Sequence, residues 1–282
     1  MGHARVSTVL RRTRRRARRI TRAWPRIRFS GRRALTALLA APLTIRLLVG
    51  ALVVVSVWLA ANWIYQVVRK PTELFFPVSG VLSKRPTETW RQYEPLFRRH
   101  STAVITAELL AALAQVEGAG NPVARTYWRW QFTLNPFEIY RPASSAVGMY
   151  QITEATFREA RRYCIHDHVV VEEGAWYDLH SCWFNGIYTR VIPSHAVELT
   201  AALLDRDVAR ILASRQIAAA TLAQKQDLAA VIHLCGAGAG DGYARRGFRL
   251  TPRQRCGDHD AGQYLARVNA LKRQFARLAA GD

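Results

Sequence analysis

The stretch LLVGALVVVSVWLAANWIYQVV, residues Leu47–Val68, is 22 residues long and carries no formal charge. An α-helix of that length, rising about 1.5 Å per residue, extends roughly 33 Å and can cross the hydrocarbon core of a bilayer. A helix that is apolar all round must be buried in protein or in lipid, and core helices of globular domains are seldom this long. Trp58, Trp63 and Tyr65 fall towards its C-terminal half, where interfacial aromatics are expected. We therefore read residues 47–68 as a single transmembrane helix that separates the N-terminal tail from the C-terminal portion of the chain.

Charge is divided at the same place. Residues 1–46 carry 14 arginines, no lysine and no acid, and the first carboxylate is Glu73. Removing those 14 from the formal charge of +21 leaves +7 for residues 47–282. The asymmetry puts the N-terminus in the cytoplasm and the C-terminal portion on the other side. A cleaved signal peptide is the alternative, since WLAANW offers small residues near the end of the run; the basic region, however, far exceeds an ordinary n-region. An arginine-rich tail beside a span suits anionic lipid headgroups. Nucleic acid would share the charge preference, but no helix-turn-helix, zinc finger or stacking platform accompanies the arginines, so no nucleic-acid partner is expected.

Cys164, Cys182, Cys235 and Cys256 all lie C-terminal to the span. Outside the cytoplasm an even count suggests two disulfides, and of the three possible connectivities the local pairs Cys164–Cys182 and Cys235–Cys256 are preferred. CIHDH is a poor metal spacing and no CxxC occurs, so no metal is expected. CGAGAG, residues 235–240, lacks the strand–turn–helix setting of a nucleotide loop, and no cofactor is expected.

Residues 69–89 hold three prolines and no sustained hydrophobic period, and 69–100 is read as a linker. From Trp90 onward helical patterns dominate. Ile105, Leu109, Leu110, Leu113 and Val116 make one apolar face. Thr153 can cap a helix through TEATFREARRY, and Ser194 another through HAVELTAALLDRDVARILAS. TLAQKQDLAAVIHLC is a further helix. The last begins near Asp260, with Tyr264, Val268, Leu271, Phe275 and Leu278 in one stripe. Between these, 127–141 and 166–193 break into aromatic loops or short strands. The expectation is a mainly α chain: tail 1–46, span 47–68, linker 69–100, and one helical domain over 101–282 with an aromatic loop insert.

Within that domain one carboxyl stands out. In LAALAQVEGAGNP, Leu110, Leu113 and Glu117 recur at i, i+3 and i+7, so Glu117 continues an apolar stripe. Gly118, Gly120 and Pro122 then end the helix, leaving the acid at its C-terminal end. Burial and the negative end of the helix dipole both disfavour a charged carboxylate in such a place, which suits a proton donor.

VEGAGNPVA together with SSAVGMYQIT resembles the paired motif of bacterial lytic transglycosylases, in the lysozyme-like superfamily. That family shows a helix ending in Glu-Ser, a nearby proline, and then Gly-Ala-x-Gly-Leu-Met-Gln. Glu117 matches the catalytic acid. Ser145, Ala146, Gly148, Met149, Tyr150 and Gln151 match the second motif, with serine for its first glycine. The third element, Ala-Tyr-Asn-x-Gly, corresponds to IHLCG, where His233 replaces the tyrosine, Leu234 replaces the asparagine and Gly236 is kept. Glu-Ser has become Glu117-Gly118, and an insert, TYWRWQFTLNPFEIYRP, separates the first two motifs.

The resemblance covers about residues 101–282. It implies an α+β lysozyme-like fold and cleavage of the MurNAc-GlcNAc bond of peptidoglycan to a 1,6-anhydro product, with Glu117 as acid and then base. Ser145, Gly148, Met149, Tyr150, Gln151, His233 and Tyr264 would face the glycan, and insert rings such as Trp128, Trp130 and Tyr140 could stack on sugars. Glu138 is the reserve acid. The implied location is the bacterial inner membrane with the domain in the periplasm. A hydrolytic muramidase and a non-catalytic glycan-binding scaffold are the alternatives.

Overall fold

The computed structural model describes residues 31–75, 79–175, 177–178 and 180–281. Residues 1–30 of the arginine-rich tail, and Phe76–Val78 in the linker, lie outside that set. The chain divides into two units, Met1–Trp58 and Leu59–Asp282.

In the first unit, α1 (Gly31–Ala40) is succeeded by the start of α2 (Leu43–Arg69), a 27-residue helix. Pro42 stands just before α2, a position where its missing N–H leaves no bond unmade. Among the described residues α2 is the one helix long and apolar enough to cross a membrane. Leu47, Leu48, Leu52 and Val54 stand exposed along it, and a row of apolar side chains with no protein cover is the surface that lipid requires.

The second unit is mainly α. Its helices are α3 (Pro86–Arg99), α4 (Ala107–Gly118), α5 (Glu154–Ala160), α6 (Pro193–Ser214), α7 (Leu222–Cys235), α8 (Ala237–Arg245) and α9 (Ala261–Ala280). Three two-stranded antiparallel hairpins punctuate them: β1 (Trp128–Trp130) with β2 (Tyr140–Pro142), β3 (Tyr163–His166) with β4 (Val169–Glu172), and β5 (Arg255–Cys256) with β6 (His259–Asp260). Trp128 faces Pro142 and Cys164 faces Val171 in register.

Helix α4 runs through the core. Thr106 caps it by accepting from the Leu109 N–H, and Leu109, Leu110 and Leu113 are fully buried. Burying each such leucine contributes roughly 1.5–3 kcal/mol. Ala111, Ala112 and Ala114 are buried as well; small side chains all round let α3 and α9 pack closely on it. From α3 come Trp90, Tyr93 and Phe97, from α9 Val268 and Phe275, and from α6 and α7 Val197, Leu204, Leu228 and Val231. Thr153 caps α5 as expected, and α9, expected to begin near Asp260, is capped by that residue. Helix α6 starts two residues earlier than a Ser194 cap would place it, at Pro193 with Ile192 as its cap, because proline's fixed φ suits the first helical position.

Residues 69–100, expected as a linker, carry packed structure. Trp90, Tyr93 and Phe97 recur at i, i+3 and i+7, so α3 has an apolar face that must be covered. Ahead of it, a 3-10 turn at Pro71–Phe75 buries Glu73 completely. The Glu73 carboxylate lies 3.3 Å from Lys70 Nζ and accepts from Arg125 Nη1 and Trp128 Nε1, both at 2.9 Å. Burial lowers the pKa of Lys70, with Glu73 opposing the shift. Two cations around one buried acid satisfy a charge, and removing one partner of such a pair typically costs about 3–5 kcal/mol.

Both disulfides have formed as Cys164–Cys182 and Cys235–Cys256, with Cα–Cα distances of 5.4 and 5.2 Å. The first ties β3 to a 3-10 turn at Trp183–Ile187; the second ties the end of α7 to β5.

Candidate functional site

Glu117 lies in the last turn of α4, its side chain 17 % exposed. The helix stops just beyond it because Ala119 takes a left-handed φ of 48° and its N–H returns to Ala114 O and Gln115 O. Lys84 then secures the exit: its N–H donates to Ala119 O at 2.8 Å, and its Nζ to Gly120 O at 3.2 Å. The acid is thus held by backbone on both sides.

Two distant elements converge on it. Tyr264, in the first turn of α9, donates from Oη to Glu117 Oε1 at 2.6 Å. Burial, reinforced by the charge and hydrogen bond of Glu117, holds the Tyr264 phenol well above its ordinary pKa, so it acts there as a neutral donor. His233, near the end of α7, brings Nε2 to 3.7 Å from the same oxygen. That exceeds hydrogen-bond distance. Both contacts are to Oε1 and neither involves Oε2. The Cys235–Cys256 disulfide joins the helix carrying His233 to β5, the first strand of the hairpin that leads into α9.

The second motif packs directly beneath. A Cβ on Gly118 would come within 2.8 Å of Met149 Cα and 3.0 Å of Met149 O, so glycine here lets the two motifs meet backbone to backbone. Gly148 has φ +80°, and a Cβ there would lie 2.3 Å from Arg190 O. Its N–H donates to Ala124 O at 2.8 Å. Gln151, at φ 48°, donates from Nε2 to Gly148 O at 2.9 Å and to Ala124 O at 3.2 Å.

Not every expected glycan contact is placed to make one. Met149 and Tyr150 are fully buried. Tyr150 Oη donates to Leu110 O at 3.2 Å, and its ring meets His233 edge-on with centroids 6.4 Å apart. These two support the site from beneath. Ser145 is exposed, but its Oγ accepts from the Glu154 N–H at the start of α5. Gln151 and His233 are half-buried and line a cavity of about 280 Å³ together with Thr153, Thr156, Thr200 and Asp207. Glu117 is outside this lining; the cavity adjoins the acid through His233.

Three residues that bear on the site do not stand out in the sequence. Arg190 donates to Ser145 O at 2.9 Å and Ile152 O at 3.1 Å, bracketing the second motif. It comes from an irregular stretch whose pattern gives no hint of this. Thr200 and Asp207 sit seven apart on α6 and both are buried. Polar residues repeating on one face of an otherwise apolar helix are the available signal.

The insert rings form their own cluster: Trp128 and Trp130 lie 5.1 and 4.7 Å from Tyr140, and Phe137 stacks on Tyr65 at 5.1 Å. Glu138, the reserve acid, pairs with Arg69 at 3.2 Å and Arg141 at 3.6 Å. Among the described residues no group of three or more His, Cys, Asp or Glu side chains is arranged to hold a metal. Comparisons with protein-family models, curated proteins and solved structures returned no match.

Proposed function

We propose that this chain is a membrane-anchored peptidoglycan lytic transglycosylase with Glu117 as its acid–base residue. The observation that carries the reading is the pairing of Tyr264 with Glu117 at 2.6 Å, on a helix end packed against the second motif. In the proposed reaction Glu117 Oε2 delivers a proton to the oxygen linking N-acetylmuramic acid to N-acetylglucosamine. The C1–O bond breaks and an oxocarbenium-like centre develops. The resulting carboxylate takes the proton of the muramoyl 6-hydroxyl, whose oxygen closes on C1 as a 1,6-anhydro ring. Glu117 is then protonated again, and no water is consumed.

Tyr264 fixes Oε1 throughout, so the carboxyl cannot rotate away between the two proton transfers. The cavity beside His233 and Gln151 would seat a sugar of the strand. The topology that accompanies this reading is a single pass through the bacterial inner membrane, N-terminus cytoplasmic and domain periplasmic. Two disulfides suit that compartment, and the arginine-rich tail would face anionic lipid.

Mass spectrometry of products from purified peptidoglycan tests the reading. Release of 1,6-anhydro ends by the native chain, lost in Glu117→Gln, is the expected result. Reducing ends instead would make it a muramidase, and binding without turnover would make it a scaffold. Losing general acid–base function typically costs about 10²–10⁴-fold in rate, so a Glu117→Gln variant of near-native activity would refute the assignment.

A further inference from the structure

Two polar residues interrupt the apolar run of α2 near its end, Asn62 and Gln66, four apart and on one face. Both are buried, at 1 % and 6 % exposure. What covers them is the β1–β2 hairpin. Asn62 Nδ2 donates to Tyr140 O at 2.7 Å and Gln66 Nε2 to Phe137 O at 2.6 Å. Tyr65 stacks on Phe137, and Arg69 pairs with Glu138. The insert is therefore fastened along the last turns of the helix that is long enough to span a membrane.

The hairpin also carries an apolar, exposed tip. Phe132 and Leu134 are 109 % and 104 % exposed, and Tyr127 and Trp130 are exposed beside them. On the helix, Leu59, Trp63 and Ile64 are exposed as well. A cleft of about 470 Å³ between helix and hairpin is lined by Leu59, Trp63, Tyr127, Trp128 and Tyr140, among others, with room for the end of a lipid chain. Arg129, at the middle of β1, is exposed, and Arg141 lies across from it in register. Aromatic rings, bare aliphatic tips and flanking arginines are the composition of a membrane–water interface.

Depth agrees with composition. Asn62 lies six residues before Val68, about 9 Å along a helix axis. Elements lying in a bilayer interface bury their apolar faces about 5–10 Å into the headgroup and acyl boundary. The hairpin is fastened across that range, with Tyr140 at Asn62, Phe137 at Gln66 and Glu138 at Arg69 nearest the helix end.

We infer that the hairpin Tyr127–Pro142 is a membrane ledge: its exposed Trp130, Phe132 and Leu134 rest in the interface of the leaflet in which α2 ends, with Arg129 and Arg141 reaching its phosphates. The inference rests on α2 spanning a bilayer and is independent of the chemistry at Glu117. Its partner is phospholipid, chosen over a protein or glycan because the patch is continuous with the exposed apolar face of α2 at Leu59, Trp63 and Ile64.

The test uses the full chain reconstituted in vesicles of phosphatidylethanolamine and phosphatidylglycerol. The native cysteines are all in disulfides, so a new thiol can be labelled selectively with an environment-sensitive nitrobenzoxadiazole dye. Labels at Phe132→Cys and Leu134→Cys should show blue-shifted emission, quenching by spin-labelled lipid and protection from aqueous iodide. A label at Leu222→Cys, an exposed leucine on α7, should show the reverse. A label at Leu52→Cys reports the span by itself, so failure of the span and failure of the ledge are separable. Labels at 132 and 134 as open to iodide as the one at 222, with Leu52 in lipid, would overturn the ledge and assign the patch to another partner.

Discussion

Tyr264 and Glu117 are 147 residues apart in the chain, yet the phenol donates to the carboxyl at 2.6 Å. The bond fixes one carboxyl oxygen, and on the proposed function the other would exchange the proton. Tyr264→Phe keeps the ring that fills the buried position and removes only the donor. A hydrogen bond to a charged group is worth about 1.5–3 kcal/mol, which corresponds to about a 10–100-fold fall in kcat. KM should change little; the same bond supports the fold, so the thermal midpoint should fall by several degrees and turnover is compared well below it. Steady-state kinetics on soluble glycan fragments separate the two constants.

Gly118→Ala should be destabilising, contrary to the usual gain of removing glycine from a helix. The new methyl meets Met149 backbone, which cannot step aside as a flexible side chain would. Overpacking of this kind typically costs about 1–3 kcal/mol. Gly238→Ala is the control: it lies within α8 with nothing inside 4 Å of the added Cβ, and should stabilise by about 0.5–1 kcal/mol. Urea unfolding of both variants reads the opposite signs directly.

The Cys235–Cys256 bond closes a loop with a sequence separation of 21 residues. The loop-entropy account assigns it about 3 kcal/mol. Changing both cysteines to serine should lower stability by that order. On the proposed function it should also lower activity beyond the stability loss, since the bond ties the helix carrying His233 to the hairpin that leads into the helix of Tyr264. Comparing turnover well below the melting range of both proteins isolates the second effect.

Asp207 gives a pH-dependent prediction. Burial raises its pKa above the ordinary 3.8, with Arg210 opposing and Glu159 adding to the rise. A folded-state pKa above the unfolded one gives stability that is present below 3.8 and lost as pH climbs through the folded value. Asp207→Asn should therefore gain stability relative to the native chain at neutral pH, and the gain should vanish below about pH 3.8. Thermal melts across a range of roughly pH 3–8 would show the two curves converging on the acid side.

How much of this is legible in the chain depends on whether the signal is local. The apolar run, the caps at Thr153 and Asp260, and the stripe ending in Glu117 are patterns within a few residues, and each is seen where expected. The cysteine pairs are local too, and they formed. Glu73 looks like an ordinary linker acid in sequence, because its partners Arg125 and Trp128 lie 52 and 55 positions away. Helix α3 falls within the stretch read as linker, although Trp90, Tyr93 and Phe97 already spell an apolar face. Asn62 and Gln66 are visible as polar residues in an apolar run, but nothing nearby names the hairpin that covers them. Tyr264 is legible as a stripe residue, while the aim of its hydroxyl at Glu117 depends on how α9 crosses α4.

Lys70 comes immediately after α2, and its Nζ donates to Ser144 O and Ala146 O at 3.1 and 2.9 Å. The clamp therefore closes on the second motif before the chain enters residues 71–85. For a chain anchored in a bilayer, this removes slack from the tether and sets the altitude of the acid. A catalytic domain on a floppy stalk can reach anywhere within the stalk's length; on the proposed function this one would work close to the end of α2. Lengthening residues 79–83 would add chain without adding reach, because the grip lies upstream of them. Glycan strands would be cut only in the layer that passes through that plane.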